Sequence, residues 1–213
     1  MNTDGLIRML ATNVEPVDAR AATRRYVAAI AVGLVGAVAL LVLLLGVRQQ
    51  WPEDVQLARF LGRLLFLGLL FAAAWFACAR LSRPGASLAW VRVTLAAPLL
   101  GIWMVAALML AQAAPAEREL LLFGGSWRAC PFYIALFSVP VFIAAFWGMQ
   151  GFAPTRLRAA GAAAGLLAGV SGALVYTLYC PEIAPPFVGI WYVLGMSIPA
   201  VLGAALGPRW LRW

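Results

Sequence analysis

The sequence has no histidine and no lysine, and charged residues fill only 11% of its 213 positions. Without histidine there is no HExxH metal site and no imidazole to complete a ligand set elsewhere. No CxxC pair, GxGxxG turn or phosphate-binding loop occurs, so the common redox, dinucleotide and nucleotide signatures are missing too. Three cysteines, Cys78, Cys130 and Cys180, are too few and too widely spaced for a disulfide scaffold. No catalytic residue stands out, and an enzyme is not expected. What fills the chain is apolar: 64% of its residues are hydrophobic. Soluble domains run near half apolar and about a quarter charged. Composition alone therefore indicates a membrane protein.

Six apolar runs reach the roughly 20 residues that cross a hydrocarbon core: 26–47, 60–81, 89–113, 131–149, 157–179 and 187–207. The first is longer than the apolar region of a signal peptide. It precedes VRQQWPED, which has no small-residue cleavage site, so it is expected to stay as an anchor. The connecting segments are short. The expected fold is an all-α membrane protein, a bundle of six transmembrane helices over 26–213 behind a cytoplasmic tail of residues 1–25.

Arginine sets the expected orientation. With the N-terminus inside, Arg8, Arg20, Arg24, Arg25, Arg80, Arg83, Arg92, Arg156, Arg158, Arg209 and Arg212 lie on the inner side. Arg48, Arg59, Arg63, Arg118 and Arg128 lie outside, which is eleven against five. Excess basic charge in short cytoplasmic loops determines topology, so both termini are expected in the cytoplasm. The net charge of +8 then reports topology before it reports an anionic partner.

Arg63 and Arg92 fall inside spans, but within about one turn of a helix end, where a long side chain snorkels to the headgroups. No span holds Asp or Glu, which argues against proton- or cation-coupled transport. In the fifth span Gly161, Gly165 and Gly169 recur every four residues and open a stripe where another helix can approach closely. Packing within the bundle is the first use of such a stripe, and a homodimer face is the second. Pro98, Pro140 and Pro199 sit in mid-span and are expected to kink their helices.

Cys130 precedes Pro131, and Cys180 precedes Pro181. Proline suits the first helical position, so Cys130 opens the fourth span. The residue before a proline is pushed out of the helical region, so the fifth span stops at Cys180. The fourth span runs inward and the fifth outward, which places both cysteines at the outer face. About twenty residues lead from Cys130 to the inner loop and about twenty-three lead back, a depth mismatch of about 4–5 Å. A disulfide needs Cα atoms within about 7 Å, while neighbouring helix axes lie about 8–10 Å apart. A disulfide, a sensor of oxidants or soft metals, and two unrelated thiols at helix ends all remain open. Glu182 is the nearby carboxylate that would serve as an auxiliary ligand. Cys78, near the inner end of the second span, reads as an ordinary buried or lipid-facing thiol.

The tail carries the remaining signal. Leu6, Ile7, Leu10 and Val14 recur at helical spacing behind Thr3 and Asp4, as in a short capped amphipathic helix ending before Pro16. Such a helix is marginal alone and needs a surface. With Asp4, Glu15 and Asp18 it is not a basic lipid binder, so Asp4, Leu6, Ile7 and Leu10 are assigned to a protein partner.

Several stretches together resemble the negative regulators of sigma F, six-span membrane anti-sigma factors, over essentially the whole chain. They are TDGLIRML, the Cys-Pro at 130–131, APTRLRAAGAAAGLLAGVSGALVYTLYCPE, PFVGIWYVLG and LGPRWLRW. The resemblance implies a protein of the bacterial inner membrane that holds an extracytoplasmic-function sigma factor at the inner surface. It implies no direct contact with nucleic acid and no cofactor beyond a transient soft metal ion. It also implies that Cys130 and Cys180 form a sensor whose perturbation by heavy metal or oxidant releases the sigma factor. The pattern often has histidine before the second cysteine, where this chain has Tyr179, and an acid after the CPE, where it has Ile183 and Ala184. Both departures favour thiol redox chemistry over metal chelation. Two other classes compete. A small transporter or channel would need polar residues at mid-depth, and the spans offer little beyond Thr94, Ser138, Ser171 and Ser197. A membrane thiol oxidoreductase is disfavoured by the missing CxxC.

Overall fold

The computed structural model describes residues 3, 5, 7, 9, 21–46, 54–82, 89–152 and 154–212. From residue 21 onward the described residues form seven helices: α1 Ala21–Leu44, α2 Asp54–Leu81, α3 Ala89–Gln112, α4 Pro115–Phe123, α5 Cys130–Met149, α6 Leu157–Tyr176 and α7 Pro185–Trp210. All but α4 are long and apolar enough to cross a membrane. No strand occurs among the described residues. The six expected long helices are present, with α1 starting five residues earlier than read from hydropathy.

Helix α4 was not expected. The segment PAERELLLF, taken from the sequence as a connection, folds because Pro115 fills a first-turn position that needs no N–H. Glu117 sits in that first turn, where the helix dipole favours an acid. Gly124, at φ +53°, ends the helix.

Helix α6 is the axis of the bundle. Within its apolar stretch 78% of residues are buried, against 6% in α3. Helices α7, α5, α2 and α1 all touch α6; α1 also lies along α5, and α3 leans mainly on α2 and the start of α7. The α6–α7 contact is the most extensive in the molecule, and glycine explains it. A Cβ on Gly161 would collide with the Gly203 carbonyl, and one on Gly165 with the Pro199 carbonyl. At Gly169 it would lie 2.7 Å from the Met196 carbonyl oxygen. The stripe read from the sequence is thus spent on close backbone approach inside the chain, which dispersion and packing favour where lipid supplies no hydrophobic drive.

The first turns of α7 are irregular. Pro185–Phe187 is helical, Val188–Tyr192 forms a π turn, and regular helix resumes at Val193. Trp103 of α3 donates from Nε1 to the Gly189 carbonyl within that turn, at 2.8 Å. Such π turns recur at functional positions because they reorient one or two side chains. Here the turn ends on Tyr192.

Candidate functional site: a thiol pair beside a buried arginine

Cys130 is the first residue of α5, its N–H bonded to the Ser126 carbonyl at 3.0 Å. Cys180 follows the turn after α6, its N–H bonded to the Tyr176 carbonyl at 3.0 Å. Pro131 and Pro181 act as expected, one opening a helix and the other barring its continuation. The structure brings the two thiols side by side, close enough for each to perturb the other. Both are free cysteines, and both are 0% exposed. Cys78 is also free and buried, far along α2.

Arg63 corrects the sequence reading. Instead of snorkelling, it is 2% exposed and turned into the cysteine pocket. Its Nη1 donates to the Glu182 carbonyl at 2.7 Å, the Tyr192 hydroxyl at 3.2 Å and the Cys180 carbonyl at 3.3 Å. Its Nη2 donates to the Thr177 carbonyl at 3.4 Å. The guanidinium therefore occupies the C-terminal end of α6, where carbonyls lack partners and the helix dipole favours a cation. Among the described residues no carboxylate pairs with it. Arg92, by contrast, is exposed, as snorkelling requires.

Aromatic rings wall the pocket. Tyr176 and Tyr192 are buried, with centroids 6.0 Å apart, and Tyr133 stacks on Tyr176 at 5.9 Å. Both buried tyrosine hydroxyls lie near the Cys180 sulfur. The Cys180 thiol is held below its ordinary pKa, chiefly by the hydrogen bond from Cys130. Burial opposes that shift. The Tyr192 hydroxyl, the Glu182 backbone N–H and the Arg63 charge reinforce it.

Glu182 lies beside the pocket, but its carboxylate is engaged elsewhere: Gly125 N–H donates to its Oε1 at 2.8 Å. Among the described residues no three metal-ligating side chains cluster. Two adjacent sulfurs suit a soft ion, and Glu182 would have to leave Gly125 to join them. The same bond latches a lid. Helix α4 and the turn 124–129, which leads into Cys130, are held to the start of α7 by Trp191 Nε1 donating to the Leu122 carbonyl at 2.8 Å and by Trp127 against Trp191 at 5.0 Å. A Cβ on Gly124 would sit 2.6 Å from the Glu182 carboxyl carbon, at a positive φ that side chains rarely adopt. Gly124→Ala is expected to loosen the lid and raise the rate at which a small maleimide labels Cys130 by about tenfold, an opening cost lowered by about 1.4 kcal/mol. Labelling kinetics in membranes check this.

An apolar groove of about 950 Å³ runs between α2, α3 and the start of α7. Neither thiol lines it, but Arg63 and Ile183 do, so the groove borders the cysteine pocket. Of the tail residues assigned to a partner, Ile7 is helical and exposed, while Asp4, Leu6 and Leu10 lie outside the described residues. Sequence reasoning missed Arg63 as a pocket residue, while Tyr176 and Tyr192 could be read equally as an interface belt or as a pocket lining. A signal existed: a span arginine with no acid in any span needs other acceptors, and a proline-terminated helix at the same depth supplies open carbonyls.

Fold and site together define a six-helix protein of membrane-crossing length with a paired-thiol pocket closed by a short helix. The chain belongs to the family described as negative regulator of sigma F (NrsF), whose profile matches residues 10–213. It is 48% identical over 213 residues, the full length of both chains, to "Probable anti-sigma-F factor NrsF" of Azospira oryzae. It is 36% identical over 220 residues, again full length on both sides, to "Anti-sigma-F factor NrsF" of Caulobacter vibrioides. No solved structure matches it.

Proposed function

We propose that this protein is a membrane-bound anti-sigma factor that holds an extracytoplasmic-function sigma factor at the inner membrane surface and frees it when the Cys130–Cys180 pair is perturbed. The observation that carries the reading is the meeting of those two thiols in one buried pocket, in a chain whose full-length relatives are named anti-sigma-F factors. The arginine distribution supports both termini inside and the thiol pocket outside. The trigger has two forms. In one, a two-electron oxidant takes the electrons, both thiol protons leave, and an S–S bond forms. In the other, a soft ion displaces both protons and binds the sulfurs. Either changes packing at the ends of α5 and α6, and a bundle with two packings passes the change to its inner surface.

A transporter is less well supported. Ser138 and Ser171 donate to the carbonyls of Ala135 and Leu167 on their own helices, at 2.6 and 2.7 Å, and so line no polar pathway.

The test is deletion of residues 2–25 with a sigma-dependent reporter. Loss of repression, with the truncated chain still at normal level in the membrane, is the expected result. Retained repression would sink the tail-mediated anti-sigma reading. Reporter fusions at residues 213 and 125 check the orientation, with only the second expected outside.

A further inference from the structure

Arg63 has no part in the chemistry proposed above, yet its guanidinium joins three segments of the pocket. It sits on α2 and donates to Thr177 at the end of α6, to Cys180 and Glu182 in the loop, and to the Tyr192 hydroxyl on the π turn of α7. The Tyr192 hydroxyl in turn lies beside the Cys180 sulfur. A phenol has one proton, and Arg63 already donates to its oxygen, so that proton points to sulfur. A relay of donors results: Arg63 to Tyr192 to Cys180.

We propose that Arg63 is the positioning residue that carries the state of the thiol pair to α2, through the Tyr192 hydroxyl and the Cys180–Glu182 carbonyls. The proposal rests on the sensor reading above. When the Cys180 sulfur bonds to Cys130 it becomes a neutral disulfide sulfur, and on a soft ion it shares its charge with the metal, so in either state it accepts more weakly than a free thiolate. The Tyr192 proton is then left with a poor acceptor, and a guanidinium, with five donors and no acceptor, cannot take it. A buried donor facing donors is unfavourable, so the contact must rearrange. Because Arg63 is fixed to α2, a shift there moves α2 against α6. From Arg63 the helix runs on to Leu81, about 27 Å away at 1.5 Å per residue, with Arg80 in its last turn. That far end is the inner surface in the proposed topology.

The test uses the full-length protein in cells with a sigma-dependent reporter and phenylarsine oxide as a dithiol-directed probe. Tyr192→Phe removes one oxygen and keeps the ring; Arg63→Met removes the charge. Two quantities are read: protection of the pair from maleimide by the probe, and the induction ratio of the reporter. Both variants are expected to keep the protection while the induction ratio falls at least about fivefold, the lower end of ordinary coupling between sites. A role in folding alone would lower the amount of protein and leave the ratio unchanged. If Arg63→Met fails to reach the membrane, Tyr192→Phe decides. Wild-type induction in Tyr192→Phe overturns the proposal. So does loss of protection together with induction, since Tyr192 would then act on the sulfur itself. Cys130→Ser runs in parallel: if it still responds to the probe, the sensor reading fails; if it is silent while Tyr192→Phe responds normally, only the relay fails.

Discussion

Replacing Gly165 by valine is expected to remove most of the folded protein from the membrane. The residue lies in the middle of the α6–α7 interface, and a Cβ there runs into the Pro199 carbonyl and lies 2.9 Å from the Ala200 Cα. Those are backbone atoms of a packed helix and cannot swing aside as a side chain tip would. Gly161 upstream is as tight and Gly169 downstream is also too close to backbone for a Cβ, so a local bulge has nowhere to go. The two helices must separate, and overpacking of this kind costs about 3 kcal/mol or more. That is a large share of the about 5–15 kcal/mol that keeps a domain folded. Gly68→Ala is the control. It sits on an exposed face of α2 with nothing within 4 Å of a new Cβ. Alanine there should be neutral or stabilise by up to about 1 kcal/mol through helix propensity. Membrane-fraction level and thermal unfolding in detergent check both. Equal losses at the two positions would mean that the glycine stripe is not the packing seam.

The glycine stripe was legible because its cause is local: four-residue spacing states which face of one helix is bare. The six long helices were legible for the same reason, since length and apolarity belong to each segment alone. The meeting of Cys130 and Cys180 could be brought within reach by counting residues through a short loop, but a free pair and a disulfide differ by less than such counting resolves. Arg63 could not be read that way. Its place near a helix end states its depth and not its azimuth, and snorkelling and burial share the same depth. Only the tertiary arrangement puts the C-terminal carbonyls of α6 opposite it. Helix α4 was obscured differently. Nine residues are too few for a hydropathy signal, and its fold depends on Trp127 and Trp191 beneath it as much as on Pro115.

Replacing Cys130 by serine is expected to leave repression intact and abolish induction, the largest functional effect foreseen. Serine differs from cysteine by one atom of similar shape, and its hydroxyl can still hydrogen-bond to Cys180 in the closed pocket. The helix start is set by Pro131 and by the bond to Ser126, neither of which involves the side chain. Uninduced reporter activity should therefore stay within about twofold of the native chain, the range of an ordinary conservative change. Induction is different in kind. A hydroxyl neither forms a disulfide nor binds a soft ion as a thiolate does, so the response to cadmium or to diamide should fall to background. Cys180→Ser should behave alike, with some loss of order in the loop because its sulfur accepts from Tyr192 and the Glu182 N–H. Cys78→Ser separates pocket chemistry from a general effect of removing thiols. That residue is as buried as the other two but lies toward the far end of α2, and its variant should respond like the native chain. Selective silence at 130 and 180 with a normal response at 78 would tie sensing to the pair, whereas an unimpaired response in Cys130→Ser would show that the inducing signal enters the bundle elsewhere.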